Sequence, residues 1–323
     1  MLYSAPYLRD SSTMTADPFS DILKLTNAES LVTGGFTAGG TWALRFPVPT
    51  KIKFFAIVKG HCWVLLDGEE EPIRFEAGDV GLLTAPRSFV LASDPDIVPV
   101  DAMSVFSGAG KTKVHVGNGD DFAQIGGHVL LDPASGRLLA DVLPPWIQIP
   151  AASPQAATFR FLLEQLVEEQ TVDRPGTQLA SAHLAQLLFI QILRAHAKTA
   201  EAKPAGWLRA LGDPRIAPAL RLMHGEPARA WHLEELAAAC AMSRTTFAFH
   251  FKAIAGVTPL AYLTDWRMHL AERALREEST PVGNIALSLG YTSESAFSNA
   301  FKRVTGKAPN VYRREARVSV GVD

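Results

Sequence analysis

Two sets of four side chains, fifty residues apart, are composed for contact with another molecule: Arg244, Thr245, Ala248 and Phe249, then Glu294, Ser295, Ser298 and Asn299. Within each set the spacing is that of a single outward stripe on a helix. Each mixes hydrogen-bonding groups with small or apolar ones. On the second helix of a helix-turn-helix, such a stripe enters the major groove of duplex DNA and meets the base edges. The sequence therefore carries two candidate reading surfaces.

The elements that must hold these stripes are written as an internal repeat. Phe247, Phe251, Lys252, Gly256, Pro259 and Tyr262 return fifty residues later as Phe297, Phe301, Lys302, Gly306, Pro309 and Tyr312. Upstream, Leu236-Ala237 matches Ile285-Ala286 at an offset of 49, so the second copy has one extra residue in its turn. Each copy predicts a short helix (Leu233 to Cys240; Val282 to Leu289), a tight turn and a longer helix. Small Ala237 and Ala286 let the paired helices cross closely, and Ser243 and Ser293 cap the longer helices by accepting from free backbone N–H groups. Phe247 and Phe251, four apart, fall on the buried stripe, as do Phe297 and Phe301. Between the copies, Leu260 to Leu275 reads as one helix of sixteen residues, about 24 Å long at about 1.5 Å per residue. That length suits a spacer between recognition helices in successive major grooves, about 34 Å apart. Asp213-Pro214 and Thr258-Pro259 each read as a helix start, a capping residue ahead of a proline.

The stretch Trp231 to Arg314 resembles the AraC/XylS-type transcriptional regulators. The second copy carries the family's signature as Ile285-Ala286, Gly290-Tyr291, Ser293, Ala296-Phe297-Ser298, Phe301-Lys302-Arg303, Gly306, Pro309 and Tyr312-Arg313. The resemblance implies sequence-specific binding to double-stranded operator DNA and control of transcription, commonly activation through RNA polymerase. Carried over by position, Thr245, Ala248 and Phe249 fall where the family reads bases with its first helix, with Arg244 on the same outer face. Glu294, Ser295, Ser298 and Asn299 fall where it uses the second. Phe249 and Asn299 stand where many relatives have Arg, so neither forms a bidentate Arg contact with guanine. Asn299 instead suits adenine, Glu294 a cytosine amino group, and Phe249 a thymine methyl. Lys252, Lys302, Arg303, Arg313 and Arg314 read as phosphate contacts, which position a protein without specifying sequence.

The N-terminal part has a different texture. From Leu31 to about Leu131, short runs rich in Val, Ile, Phe and Trp alternate with Lys59-Gly60, Asp67-Gly68, Ala77-Gly78-Asp79 and Ala85-Pro86, which predicts an antiparallel sandwich or small barrel. This segment resembles the cupin-type sensory domain of one branch of these regulators. The match runs through Asp17-Pro18-Phe19-Ser20, Trp42 to Pro47, Gly60 with Cys62-Trp63, Glu76 to Asp79, Pro86, Leu91 to Pro95 and Leu143-Pro144-Pro145. Enzymatic cupins hold a metal with a His pair, a Glu and a further His. Here Phe55 and Phe89 occupy positions where relatives often have histidine, so no metal and no cofactor are expected. Trp42, Phe55, Trp63 and Phe89 are either the wall of a small-molecule effector pocket or simply barrel core, with Arg45 as the candidate partner for an anionic effector. From Pro150, Phe159, Leu162, Leu163 and Leu166, then Leu179, His183, Leu184, Leu187, Leu188 and Ile192, predict two amphipathic helices that cover the barrel, form a homodimer seam, or both.

The formal net charge of -2 conceals a segregation: residues 1–204 hold 16 Lys+Arg against 22 Asp+Glu, and the remaining residues 15 against 11. A basic C-terminal part joined to an acidic one is consistent with a polyanion partner. The apolar runs are far shorter than the roughly 20 residues of a bilayer helix, and the first twenty residues lack the apolar core of a secretory signal. With only Cys62 and Cys240, a reducing cytoplasm is expected. Translation starts at Met1 or at Met14, just ahead of a helical pattern over Thr15 to Leu25.

The expected organisation is multidomain. It comprises an all-β cupin-like barrel with flanking helices (15–150), a helical pair (151–203), a linker and connecting helix (204–230) and an all-α domain with two helix-turn-helix units (231–317). The expected function is effector-responsive transcription control without catalysis. Two alternatives stand beside it: a cupin-type enzyme, for which His61 with Asp67 or Glu69 is the best acid/base pair, and a redox sensor through Cys62. A barrel that has lost its ligand and only dimerises is a third.

Overall fold

A computed structural model describes residues 17–106, 113–132, 135–172, 174–198, 206–277 and 279–320. Met1, Met14, residues 199–203 at the end of the expected helical pair and 204–205 at the start of the expected linker lie outside them. The chain divides into two compact units, Asn27–Glu201 and a second made of Met1–Thr26 with Ala202–Asp323.

In the first unit, strands β1 (Glu29–Gly39), β3 (Ile52–Lys59), β6 (Val80–Leu83), β9 (Lys113–Gly117), β10 (Phe122–Leu130) and β11 (Trp146–Ile149) form a sheet in the order β11-β6-β3-β10-β1-β9. A second sheet runs β5-β4-β7-β2-β8, from β2 (Ala43–Phe46), β4 (His61–Leu66), β5 (Ile73–Glu76), β7 (Phe89–Ala92) and β8 (Val100–Asp101). Neighbouring strands are antiparallel except β1–β9 and β2–β8. Period-2 alternation fills the space between the sheets: Leu44, Phe55, Ile57, Cys62, Val64, Leu66, Leu83 and Leu91 all join one buried cluster. Asp79 anchors the turn before β6, its buried carboxylate accepting from the backbone N–H of Glu76 (3.0 Å) and Ala151 (2.7 Å) and from Gln148 Nε2 (3.2 Å).

Two short helices, α2 (Ala102–Phe106) and α3 (Arg137–Ala140), lie in connections, and α4 (Ala156–Thr171) and α5 (Thr177–Lys198) follow the sheets. Phe159, Leu162, Leu163 and Leu166 of α4 and Leu188, Phe189, Ile192 and Leu193 of α5 are buried, with α5 packed on α4, β1 and β11. The apolar faces thus cover a sheet. Phe161, Leu179 and Leu187 stay exposed on the outside of the pair.

Helix α1 (Pro18–Leu25) is where the architecture departs from the expected boundary of 15–150. It packs in the second unit, against α6 (Trp207–Gly212), α7 (Ala217–Gly225) and α10 (Pro259–Glu277). Asp17 caps its start, accepting from Phe19 N and Ser20 N, and Ile22, Leu23 and Leu25 are buried. Asp21 Oδ2 lies 3.4 Å from Nδ1 of His224, an ion-pair distance without hydrogen-bond alignment. His224 has no exposed side-chain surface; its Nε2 is 2.8 Å from the Tyr262 hydroxyl and its ring stacks on Trp266 at 4.1 Å. A carboxylate and an apolar stripe matched to this corner explain why the segment leaves the barrel.

The rest of the second unit is α8 (Leu233–Ala239), α9 (Arg244–Ala255), α11 (Val282–Ser288), α12 (Glu294–Thr305) and α13 (Pro309–Val320). Helix α10 starts at Pro259 as the sequence predicts and is longer than expected, 19 residues. Asp213-Pro214 does not open α7, which begins at Ala217. Asp213 instead turns the chain, and its carboxylate binds Arg215 (2.8 Å) and His250 of α9 (3.1 Å).

Candidate nucleic-acid interface and barrel cleft

The two helix-turn-helix units are built alike, from α8–α9 and α11–α12. Ser243 Oγ accepts from Thr246 N at 3.2 Å and Ser293 Oγ from Ala296 N at 3.1 Å. Gly256 and Gly306 close the same helices in the left-handed conformation, with φ of 80° and 78°. Inside, Phe247 and Phe251 meet edge-on and Phe251 meets Tyr262; Phe297, Phe301 and Tyr312 repeat the arrangement. In each turn a residue donates its N–H to the carbonyl of the small alanine, Met242 to Ala237 and Tyr291 to Ala286, both at 2.9 Å. The extra residue of the second copy falls between Gly290 and Ser293.

With the phenylalanines inside, the stripes lie on the outer faces. Arg244, Thr245 and Phe249 are exposed and Ala248 half-buried; Glu294, Ser295 and Asn299 are exposed and Ser298 half-buried, position for position. The first residue of each stripe leans back onto the preceding helix. Arg244 pairs with Glu234 at 2.8 Å, and the Glu294 carboxylate lies where a Cβ on Gly283, the residue equivalent to Glu234, would meet its Oε2 at 2.9 Å. Lys252, Lys302, Arg303 and Arg314 are exposed and form no ion pair among the described residues. Arg313 differs from the phosphate contact expected of it: it is half-buried and donates Nη2 to the Thr280 carbonyl, which ties α13 to the chain ahead of α11.

The loop before α8 fixes one unit against the other. Arg267 of α10 donates to the carbonyls of Pro227 (2.6 Å) and Arg229 (2.8 Å) and lies 5.8 Å from the Tyr291 ring centroid. Gly290, at φ 82°, meets this loop so closely that a Cβ would stand 1.9 Å from the Ala228 carbonyl oxygen. Sequence reasoning missed Arg267, although an arginine on an otherwise apolar helix stripe was a visible signal.

In the barrel, a cleft of about 480 Å³ is lined by Phe55 and Phe89 together with Phe46, Leu91, Phe106 and Lys53, among others. Three other residues expected there are elsewhere. Trp42 packs into the core, 4.6 Å from Phe122 and 5.3 Å from Phe36. Arg45 and Trp63 alternate with the inward-facing Leu44, Cys62 and Val64 and so stand on the outer face of their sheet, Arg45 exposed and Trp63 half-buried. Lys53, an inward-facing cation, was overlooked.

Cys62 is 0% exposed, and burial, with Asp79 adding to it, pushes its thiol up to about 12. A thiol so placed lacks the access and the thiolate character that redox sensing needs, which disfavours Cys62 as a sensor. The enzymatic pair also fails: His61 and Asp67 bound opposite ends of β4, and Glu69 is engaged by Arg87 at 2.7 Å. Among the described residues, no group of three or more His, Cys, Asp or Glu side chains is placed to hold a metal ion.

Residues 17–198 match the family model described as Cupin, and residues 236–315 that described as Helix-turn-helix domain. The chain is 43% identical over 298 residues to an AraC-like transcription regulator of Streptomyces lividans, covering 92% of this chain and 98% of that protein. It is 30% identical over 287 residues to the HTH-type transcriptional regulator AlkR of Acinetobacter baylyi, covering 86% and 92%. Among solved structures, the DNA-binding domain of AdpA in complex with a target DNA matches at 28% identity and a TM-score of 0.33, covering 34% of this chain and 100% of that one. A doubled helix-turn-helix, a β-rich cupin domain and identity of this extent place the chain in one family: it belongs to the AraC-type transcriptional regulators.

Proposed function

We propose that this regulator reads operator DNA with both stripes, Arg244, Thr245, Ala248 and Phe249 in one major groove and Glu294, Ser295, Ser298 and Asn299 in the next. Lys252, Lys302, Arg303 and Arg314 hold the phosphates between. The observation that carries the reading is the position-by-position equivalence of the two outer faces, exposed over a core that is itself duplicated. Helix α10, about 28 Å long at about 1.5 Å per residue, is of a length to set the recognition helices about one helical turn of DNA apart.

In this proposal the protein works in the cytoplasm as a homodimer, with the exposed Leu179 and Leu187 of α5 and Phe161 of α4 as its seam. A small-molecule effector in the barrel cleft shifts the population toward the form competent for paired operator sites, and that form activates transcription by contact with RNA polymerase. The test is transcription in vitro from the adjacent promoter with purified polymerase, with and without candidate effectors. Effector-dependent increase in transcript supports the reading; loss of transcript on adding the regulator makes it a repressor instead.

A further inference from the structure

We infer that the barrel cleft takes an apolar carboxylate, its hydrocarbon body against Phe46, Phe55 and Phe89 and its anionic end at Lys53 in the mouth. The inference rests on the effector reading above and names the class of effector. Its first support is the wall. Phe46 and Phe89 stack at 4.8 Å and 9°, and Phe55 lies 6.3 Å from Phe89 at 8°, so three rings present nearly parallel faces. A flat or extended apolar body fills such a space and leaves water behind.

The second support is the charge at the mouth. Lys53 lines the cleft from β3, opposite His128 of β10 and two residues from Lys51. None of the three forms an ion pair or a side-chain hydrogen bond among the described residues. Burial, and then Lys51, holds the Lys53 ammonium below its ordinary range, and His128 is lowered by burial and by Lys51 and Lys53. Two like charges, Lys51 and Lys53, beside an apolar cleft, with an imidazole between strands that they help keep neutral, are relieved by an anion, and Lys53 is the one that lines the cleft. Gln124, which also lines the cleft, carries a buried side-chain oxygen with no partner, a further polar point in an otherwise greasy wall. The anion is a carboxylate rather than a phosphate because a single charge costs less to bring to a half-buried site than a dianion, which is hydrated far more strongly.

The test uses the full chain. Decanoate and 2-naphthoate are titrated beside 1-decanol and 2-naphthalenemethanol, their uncharged counterparts, by calorimetry on the wild type, Lys53→Met and Lys53→Arg, with melting curves to check folding. The acids are expected to bind the wild type at least about tenfold more tightly than the alcohols, as a charge-assisted hydrogen bond gives. Lys53→Met is expected to erase that ratio and Lys53→Arg to keep it. Equal binding of acids and alcohols to the wild type overturns the inference and leaves the barrel standing as an effector site. Binding of neither class overturns both. If Lys53→Met does not fold, the wild-type ratio and its value in Lys53→Arg decide.

Discussion

Phe249 is 79% exposed on the outer face of α9, two residues and about half a turn from Phe247 and Phe251, which are fully buried on the opposite face. A side chain in that position adds nothing to the core, so Phe249→Ala is expected to change stability by no more than about 0.5 kcal/mol. It is expected to weaken binding selectively at operators with thymine under α9, a loss read by comparing single-base operator variants in a shift assay. Asn299→Ala tests the other stripe, with an expected loss of about 1–3 kcal/mol confined to one base pair of the site. Lys302→Ala is expected to act differently, weakening binding to every duplex and lowering the salt slope by about one. These stripes were legible in the sequence because helical spacing and two buried phenylalanines fix which face is left over. Arg313 was not, since its partner is a backbone carbonyl 33 residues away that no local pattern announces. For Arg45 and Trp63 the signal was present: the strand period sets Trp63 opposite Cys62, and only one of the two can face the barrel interior.

The contact between the Gly290 turn and the loop before α8 holds the two helix-turn-helix units in one orientation. A Cβ at Gly290 meets a backbone carbonyl, and the φ of 82° strains any other residue. Gly290→Ala is therefore expected to destabilise the unit by about 2 kcal/mol or more, measured by urea unfolding. Its counterpart Ala241 sits at φ 51° without a glycine, so Ala241→Gly is expected to be neutral or stabilising by up to about 1 kcal/mol. Element order in this unit followed from caps and spacing. In the barrel, β1 runs eleven residues through Thr33-Gly34-Gly35, and β10 through Gly126-Gly127. Glycine pairs read as turns in isolation, and here Gly34 pairs with Gly126 within the ladder, which sequence alone does not reveal.

At the scale of the whole chain, the acidic and basic halves are now joined by a structural fact the charges did not suggest: the N-terminal helix α1 belongs to the DNA-binding unit. Its carboxylate Asp21 faces His224, whose imidazole burial holds below its ordinary value, with Asp21 and Asp17 partly offsetting the shift. A histidine kept neutral in the fold and free to protonate when unfolded binds more protons in the unfolded state. Stability is then full above about pH 6.5 and falls as pH drops below it. Urea unfolding at pH 7 and pH 5 is expected to show that loss, and His224→Gln to flatten it. The central claim is that one chain reads two successive grooves on one face of the duplex. Hydroxyl-radical and methylation footprinting of the bound operator tests it most directly. Two protected major-groove patches about 10 base pairs apart on the same face are expected, with Asn299→Ala weakening protection only within the patch under α12. A single patch per chain, or two on opposite faces, would contradict it.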